Sequence, residues 1–252
     1  MFRARFKNDI VAEFLPPSRD AKRQRLIILC DGMPSIPRKQ PLAEFMAEKG
    51  FWVLYPRYRG AWESGGDFLA RSPHEDILDI LDELPTDIEE IAFGKRFRLA
   101  PDQVFVIGGS FGGAAAILSS LDSRTARCVA NCPVVDWAIL GRSERAETSR
   151  KNYAEYIRQA FGNAYRLSDE NWAKLRSGSF YNPWHHRSEI NGSKLLMFHA
   201  KDDLNVPYLR TKRFAEVTGA RLKTLQRGGH VSTDYITRRY WADIKVFFDS
   251  KS

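Results

Sequence analysis

Short β-rich apolar runs alternate with longer amphipathic stretches along this chain, and the alternation constrains the fold more than any other feature. Residues 26–30 (LIILC) and 51–55 (FWVLY) are continuously apolar, as in strands that are buried on both faces of a sheet. Residues 42–49 and the stretch after Pro73 carry apolar side chains at helical spacing. The sequence therefore predicts an α/β fold, a mostly parallel sheet of about eight strands with helices on both faces.

The remaining elements follow the same logic. Residues 2–6 and 10–15 predict an opening hairpin, because they alternate in polarity around the turn-forming Asn8-Asp9. Further strands are predicted at 104–107, 128–135, 195–199 and 222–225, and a closing helix at 235–248. Residues 137–193 are rich in charge and aromatic side chains and have little strand signal, so we interpret them as a helical cap insertion. Residues 1–252 then form one α/β domain.

Composition and charge exclude several classes of protein. With 43% hydrophobic residues, the 252-residue chain is not disordered. No apolar run approaches the roughly 18 residues of a membrane helix, and the charged N-terminal residues lack the apolar core of a secretory signal. We therefore expect a cytoplasmic protein with no membrane partner. The 39 Lys and Arg exceed the 31 Asp and Glu by 8 but are interleaved with them, which argues against nucleic-acid binding.

The three cysteines, Cys30, Cys128 and Cys132, include no CxxC pair and have no histidine at zinc-finger spacing. We expect them to be buried free thiols and expect no metal site. The chemistry predicted below requires neither a metal nor an organic cofactor.

The segment GGSFGG at 108–113 contains a GxSxG motif around Ser110. A chance match is expected in about one chain in a dozen of this length, but here the motif directly follows a strand and directly precedes a helix. A nucleophile elbow needs that placement, since its serine lies on a sharp strand-to-helix turn. Gly108 and Gly112 stand where a Cβ would collide with its neighbour. Ser110 is the candidate nucleophile, and the alternative is a glycine-rich turn with an incidental serine.

A serine hydroxyl becomes nucleophilic near neutral pH when a base accepts its proton and a carboxylate orients that base. After such an elbow, the acid and then the histidine are expected at the carboxyl ends of later strands. Asp203 follows the strand at 195–199, with Asp202 as the adjacent alternative and Asp136 as a third. His230 follows the last strand, in a loop with two glycines. The predicted triad is therefore Ser110, Asp203 and His230.

The other four histidines have different interpretations. His199 ends a strand and is expected to be packed or hydrogen-bonded rather than a base. His74 falls in the first turn of a predicted helix. His185 and His186 fall in the insertion, where surface and substrate-pocket roles are equally open.

A tetrahedral oxyanion needs two N–H donors, usually one from the residue after the nucleophile and one from the loop after an earlier strand. Phe111 fits the first role. In the loop DGMPS at 31–35, Met33 fits the second, because Pro34 has no N–H to donate. The alternative for this loop is an ordinary turn.

Four stretches together resemble the α/β-hydrolase superfamily and, within it, the catalytic domain of the prolyl oligopeptidase group, which includes acylaminoacyl and dipeptidyl peptidases. They are DGMPS at 31–35, YPRYRGAWESGGDF at 55–68, GGSFGG at 108–113, and HAKDDLNVP at 199–207 with GGH at 228–230. The last resembles the HGxxDxxVP acid loop of the group. This resemblance also implies Asp203 as the acid and His230 as the base.

The chain departs from that group at three points. Ala200 stands where the group usually has Gly, and Asp31-Gly32-Met33 replaces loops such as His-Gly-Gly, which leaves any side-chain contribution to the oxyanion hole open. The chain has no room for the β-propeller that restricts oligopeptidases to short peptides. Because freestanding domains of this design include esterases and dienelactone-type hydrolases, the resemblance leaves the substrate open.

The sequence thus predicts a serine hydrolase that cleaves a small ester, or a short peptide or other amide, through an acyl-enzyme. One alternative is a carboxylesterase or dienelactone-type hydrolase without peptidase activity, and another is a catalytically silent binding module. The sequence leaves open whether the chain forms a homodimer. The candidate substrate-binding residues are Arg59, Trp62, Trp137 and Trp184. The tryptophans fit the core of the insertion equally well, and for Arg59 the alternative is an ion pair with an acid such as Glu63 or Asp67.

Overall fold

The computed structural model of the chain describes residues 1–19, 23–140 and 153–250. Within these residues the strands are β1 (Phe2–Phe6), β2 (Ile10–Leu15), β3 (Arg25–Cys30), β4 (Trp52–Pro56), β5 (Thr86–Glu89), β6 (Arg96–Leu99), β7 (Gln103–Gly109), β8 (Thr125–Asn131), β9 (Leu195–Ala200) and β10 (Arg221–Leu225). The helices are α1 (Gln40–Glu48), α2 (Pro73–Asp82), α3 (Phe111–Ser119), α4 (Trp137–Leu140), α5 (Tyr153–Phe161), α6 (Asp169–Ser177), α7 (Tyr208–Thr218), α8 (Thr233–Arg239) and α9 (Trp241–Asp249). None of these helices is long and apolar enough to cross a membrane.

Eight of the strands form one sheet in the order β1-β2-β4-β3-β7-β8-β9-β10. The pairs β1–β2 and β2–β4 are antiparallel, and every other pair in this sheet is parallel. The prediction of a mostly parallel eight-stranded sheet is confirmed. Because parallel strands share a direction, the loops that follow β3, β7, β8, β9 and β10 meet at one edge of the sheet.

Helices cover both faces of the sheet, as the predicted layering requires. Ile77 of α2 and Ile117 of α3 belong to one buried cluster. Met46 of α1 and Phe247 of α9 belong to a second cluster on the other face. Alternate residues of β7 enter the two clusters, which explains why this strand is continuously apolar in sequence.

The strand predicted at 128–135 lies earlier in the chain than expected, since β8 begins at Thr125 and ends at Asn131. Cys132 has a φ of +42°, a left-handed conformation that ends the extended backbone. Pro133 follows and has no N–H for a sheet ladder. The chain turns here and forms a loop beside the elbow.

The closing helix predicted at 235–248 is wrong as a single element, because α8 and α9 are separate helices that meet at Tyr240. The backbone of Tyr240 has a φ of −112° and a ψ of 25°, outside the helical range. Its ring stacks on Phe198 of β9, with 5.2 Å between ring centroids. This tertiary contact holds a break that helical periodicity does not reveal.

The antiparallel hairpin of β5 and β6 was not predicted. Half of the residues in its strands, TDIE and RFRL, are charged and exposed, so these strands lack the apolar run that identified the other strands. Cross-strand ion pairs join Arg96 to Glu89 and Arg98 to Asp87. The hairpin lies outside the main sheet.

The segment predicted as an insertion, residues 137–193, contains α4, α5 and α6 and the 3₁₀ turns Gly162–Ala164 and Pro183–His186, and a third such turn, Gly192–Lys194, begins at its end. Residues 141–152 of this segment lie outside the described residues. Ser168 caps α6 by accepting the N–H of Asn171, and the left-handed Gly178 ends it.

Candidate active site

Ser110 lies on a sharp turn between β7 and α3. Its φ of 55° and ψ of −119° are angles that residues with a side chain rarely adopt. A Cβ on Gly108 would lie 2.0 Å from the carbonyl oxygen of Gly112, and a Cβ on Gly112 would lie 2.4 Å from that of Asp31. This crowding is the physical reason for the two glycines of the motif.

The loop after β8 fixes the backbone of the turn. The N–H of Ser110 donates to the carbonyl oxygen of Asn131 at 2.9 Å, and the N–H of Val134 donates to the carbonyl oxygen of Ser110 at 3.1 Å. A Cβ on Gly113 would lie 2.7 Å from Pro133, so this glycine lets α3 approach the loop closely. Residues 131–134 therefore bond to both the N–H and the carbonyl oxygen of the strained Ser110 backbone.

Asp203 and His230 meet at the same edge of the sheet. Asp203 lies in the loop after β9 and His230 in the loop after β10, and these two strands are neighbours. Nδ1 of His230 lies 2.9 Å from Oδ2 of Asp203. Oδ1 of Asp203 accepts the N–H groups of Asn205 at 2.9 Å and Val206 at 3.0 Å. A carboxylate only accepts, so Nδ1 of His230 carries the hydrogen and Nε2 is left as the basic nitrogen.

The carboxylate of Asp203 is held in its charged form. Burial by itself raises the pKa of Asp203, but hydrogen bonds from His199 and His230 outweigh burial and bring this pKa well below its usual range. The side chain of Asp203 is fully buried, and that of His230 is 26% exposed. A charged, buried carboxylate bonded to a partly exposed imidazole can orient a histidine and stabilise its protonated form.

The two alternative acids have other partners. Asp202 is exposed and accepts the N–H groups of the two glycines that precede His230, at 3.2 and 2.9 Å. Asp136 is buried and accepts from Nε of Arg210 at 2.9 Å, which links the start of α4 to α7. Of the three candidate acids, Asp203 is the one that contacts the imidazole.

A cavity of about 780 Å³ lies over the elbow, and Ser110 and His230 both line it. The insertion contributes an aromatic group to the lining, formed by Trp137, Tyr153 and Tyr156. The loop after β3 and the residue before α1 contribute a polar group, formed by Asp31, Ser35 and Lys39. The cavity therefore has both an apolar and a polar part.

Met33 and Phe111, the predicted oxyanion donors, also line this cavity. Phe111 is the first residue of α3, where a backbone N–H has no acceptor within the helix. The N–H of Gly32 donates to Oδ1 of Asp31 at 3.1 Å, so this group is already used. Met33 is the next residue of the loop, and Pro34 follows it through a cis peptide bond.

Arg59, predicted as a substrate-binding residue, lies outside the lining of the cavity. Its guanidinium pairs with Asp9 at 2.8 Å, with Asp79 at 2.7 Å and with Asp76. The ion-pair alternative therefore describes its position, but with these three acids rather than Glu63 or Asp67. Hydrogen bonds to three carboxylates raise the pKa of Arg59, although burial alone lowers it.

The three tryptophans predicted to bind substrate do not all lie at the cavity. Trp137 lines the cavity, whereas Trp62 and Trp184 do not. Nε1 of Trp62 donates to the carbonyl oxygen of Ser35 at 3.1 Å. The ring of Trp184 lies under the guanidinium of Arg210, 3.3 Å from ring centroid to carbon. The Trp62 side chain thus bonds to the loop after β3, and the Trp184 ring packs the insertion against α7.

The sequence analysis gave no role to the side chain of Asp31, the first residue of the loop at 31–35. Its Oδ2 accepts the hydroxyl of Ser35 at 2.6 Å and that of Tyr55, and the Lys39 ammonium lies 3.6 Å from Oδ1. These contacts fix the start of the loop that contains Met33. The signal was present, since Asp31 directly follows a buried strand, as Ser110 does.

Cys132 is the buried thiol nearest to this site. Ligand atoms of Cys132, Asp203 and His230 lie within 4.8 Å of one another, the one such grouping found among the described residues. Burial raises the pKa of Cys132 to about 12, so the thiol keeps its proton at neutral pH. The arrangement fits a hydrogen-bonded acid–histidine pair beside a packed thiol better than a metal site.

The sheet order, the serine elbow and the acid and histidine loops define the protein as an α/β hydrolase. Residues 40–250 match the sequence model of the prolyl oligopeptidase family, and the chain belongs to that family. The prediction of this family from four short stretches is confirmed. Comparison with curated proteins gave no match.

Several solved structures share the fold at low identity. An esterase from Pyrococcus furiosus is 18% identical with a TM-score of 0.68, and the match covers 98% of this chain and 88% of that one. Est1E from Butyrivibrio proteoclasticus, solved with ferulic acid bound, is 15% identical with a TM-score of 0.69, covering 99% and 100%. An acylaminoacyl peptidase from Pyrococcus horikoshii is 16% identical with a TM-score of 0.66, and this chain spans 42% of its length.

Proposed function

We propose that this hydrolase cleaves a small carboxylic ester through an acyl-enzyme, with Ser110 as nucleophile, His230 as general base and Asp203 as the orienting acid. One observation carries the proposal: Ser110 and His230 line the same cavity, while Nδ1 of His230 is bonded to a buried, charged Asp203. This leaves Nε2 of His230 to accept the hydroxyl proton.

In the acylation step, Oγ of Ser110 attacks the carbonyl carbon of the ester and its proton passes to Nε2 of His230. The carbonyl oxygen becomes an oxyanion, which the N–H groups of Met33 and Phe111 stabilise. The tetrahedral intermediate collapses, the bond to the leaving oxygen breaks, and His230 returns the proton to that oxygen. The alcohol departs, and the acyl group remains on Ser110.

In the deacylation step, water takes the place of the alcohol. His230 accepts a proton from the water, whose oxygen attacks the acyl carbon. The second tetrahedral intermediate releases Ser110, which regains its proton from His230, and the carboxylic acid departs. Asp203 keeps its negative charge throughout and stabilises the imidazolium formed in each step.

The cavity supports a small substrate with an apolar group. Its aromatic lining from Trp137, Tyr153 and Tyr156 can bury an acyl or alcohol group, and a volume of about 780 Å³ suits a small molecule. The solved structures that share the fold include an esterase and Est1E with ferulic acid bound. These points favour an ester over a peptide as substrate.

The first test is labelling with a fluorophosphonate at neutral pH, followed by peptide mapping. We expect the label on Ser110 and none on Ser35 or Ser232, which line the same cavity. His230→Ala should abolish labelling, and Asp203→Asn should lower kcat by about 10³- to 10⁴-fold. Ser232→Ala is the matched control and should label like the wild type.

A second test compares p-nitrophenyl esters with aminoacyl and N-acetyl-aminoacyl p-nitroanilides. Ester turnover that disappears in Ser110→Ala supports the proposal, and faster turnover of an anilide would replace the ester by an amide substrate. If neither class is cleaved and Ser110 is not labelled, the protein is a binding module with a hydrolase fold.

A further inference from the structure

Beyond these three residues, we propose that His199 is a positioning residue whose Nε2–H donates to the Asp203 carboxylate and fixes the orientation in which this acid meets His230. The inference rests on the proposed function of Asp203 and deepens it. His199 lies near the end of β9, four residues before Asp203.

The imidazole of His199 is fully buried beside the acid. Its Nε2 lies 3.2 Å from Oδ2 of Asp203 and 3.0 Å from the carbonyl oxygen of Val206. Both of these oxygens are acceptors, so Nε2 carries a hydrogen and shares it between them. The His199 ring, on β9, therefore contacts both Asp203 and Val206 of the loop that follows this strand.

The other nitrogen of the ring identifies the tautomer. Nδ1 of His199 is buried and has no hydrogen-bond partner in the part of the chain that the structure describes. A hydrogen on Nδ1 would be a buried donor without an acceptor, which is unfavourable. The site therefore fits a neutral imidazole with its hydrogen on Nε2.

A neutral donor suits the proposed role of Asp203. A cation at this position would cancel the negative charge that stabilises the imidazolium of His230, whereas a neutral N–H orients the carboxylate and leaves its charge in place. The two carboxylate oxygens of Asp203 then have different hydrogen-bond partners. Oδ1 accepts two backbone N–H groups, and Oδ2 lies between His199 and His230.

The test compares His199→Leu, which removes the donor, with His199→Gln, whose side-chain amide can place an N–H near the position of Nε2. We expect His199→Leu to lower kcat for a p-nitrophenyl ester by roughly tenfold, with KM within about twofold of the wild type. His199→Gln should recover most of this loss. Each kcat is divided by the fraction of Ser110 that a fluorophosphonate titrates, so misfolded molecules do not count. His74→Leu, which removes a histidine of α2 whose ring is bonded to Ser72, is the matched control.

A purely structural role predicts a different result. It would lower thermal stability in His199→Leu while kcat for each titrated site stayed at the wild-type value, and that outcome would overturn the inference. Equal losses in the Gln and Leu variants would overturn it as well. Absence of Ser110 labelling in the wild type would instead refute the proposed function itself.

A measurement on the unmodified protein covers the case in which His199→Leu does not fold. Imidazole ¹H–¹⁵N spectra at neutral pH should show His199 as a neutral ring with its hydrogen on Nε2. Assignment of this signal uses the His199→Gln variant, from which it must be missing. A hydrogen on Nδ1, or a charged ring, would overturn the inference.

Discussion

Tyr181 donates its hydroxyl hydrogen to the carbonyl oxygen of Phe111 at 2.6 Å, which ties the insertion to the first turn of the helix after the elbow. Both residues are buried, and their ring centroids lie 4.8 Å apart. Because Phe111 also carries a proposed oxyanion donor, this contact links the insertion to the proposed active site.

Removing that hydroxyl with Tyr181→Phe should lower the free energy of unfolding by about 1 kcal/mol, because a buried hydrogen bond is lost while the ring packing remains. Urea titration measures the change. Tyr235→Phe, at a residue that is 55% exposed, is the control and should change stability by less than about 0.5 kcal/mol. Equal effects in the two variants would contradict the importance of the contact.

Gly112→Ala should prevent correct folding of the elbow. The added Cβ would lie 2.4 Å from the carbonyl oxygen of Asp31 and 2.5 Å from that of Cys30, and both are backbone atoms that cannot rotate away. We expect a loss of about 3 kcal/mol in stability, measured by thermal unfolding, together with loss of fluorophosphonate labelling.

The control is Gly32→Ala, in the same region. Its Cβ would meet the carbonyl oxygen of Gly109 at 3.9 Å, an ordinary contact, and should leave the melting temperature within about 3 °C of the wild type. A stable, labelled Gly112→Ala protein would refute the steric explanation of the motif.

Arg59→Ala should destabilise the protein without changing substrate affinity. It leaves Asp76, whose side chain is 4% exposed, without its cationic partner, which should cost about 3 kcal/mol in the free energy of unfolding. Arg71→Ala, at a side chain that is 49% exposed, should cost less than about 1 kcal/mol. A rise in KM confined to anionic esters in Arg59→Ala would instead return Arg59 to substrate binding.

His74 should make stability depend on pH. Burial lowers the pKa of His74 to about 4, against about 6.5 in an unfolded chain. Between these values the unfolded chain binds a proton that the folded protein does not. His74 therefore leaves stability unchanged above about pH 6.5 and lowers the free energy of unfolding as the pH falls from 6.5 towards 4.

The measurement is the free energy of unfolding in urea at pH 7 and at pH 4.5. The decrease between the two should be smaller in His74→Gln than in the wild type, by about 2 kcal/mol. His185→Gln, at an exposed histidine, should behave like the wild type. Identical decreases in all three proteins would contradict the assignment to His74.

The sequence predicted the elements whose signals are local. The runs around Ile27 and Phe105 became central strands, because a strand buried on both faces needs apolar residues at consecutive positions. The break at Tyr240 and the β5–β6 hairpin were missed, because the first depends on a stack against Phe198 and the second on charged cross-strand pairs. Neither signal lies in the periodicity of the segment itself.

In the candidate site, too, some residues could be predicted from local sequence and others could not. Ser110 could be identified because its strained turn requires glycine at fixed spacing. This steric requirement is local and therefore visible in the neighbouring residues of the sequence. Arg59 could not be assigned from its neighbours, since its partners Asp9 and Asp76 lie 50 and 17 residues away in the chain.

The sequence by itself determined the α/β layering and the position of the elbow, and it predicted the chain order of serine, acid and histidine. Only the tertiary structure decided which acid contacts His230, which aromatic residues line the cavity, and that His199 supports Asp203. The reason is physical. Turn sterics and strand burial act between residues that are close in sequence, whereas hydrogen bonds and cavity walls depend on which loops the sheet order brings together.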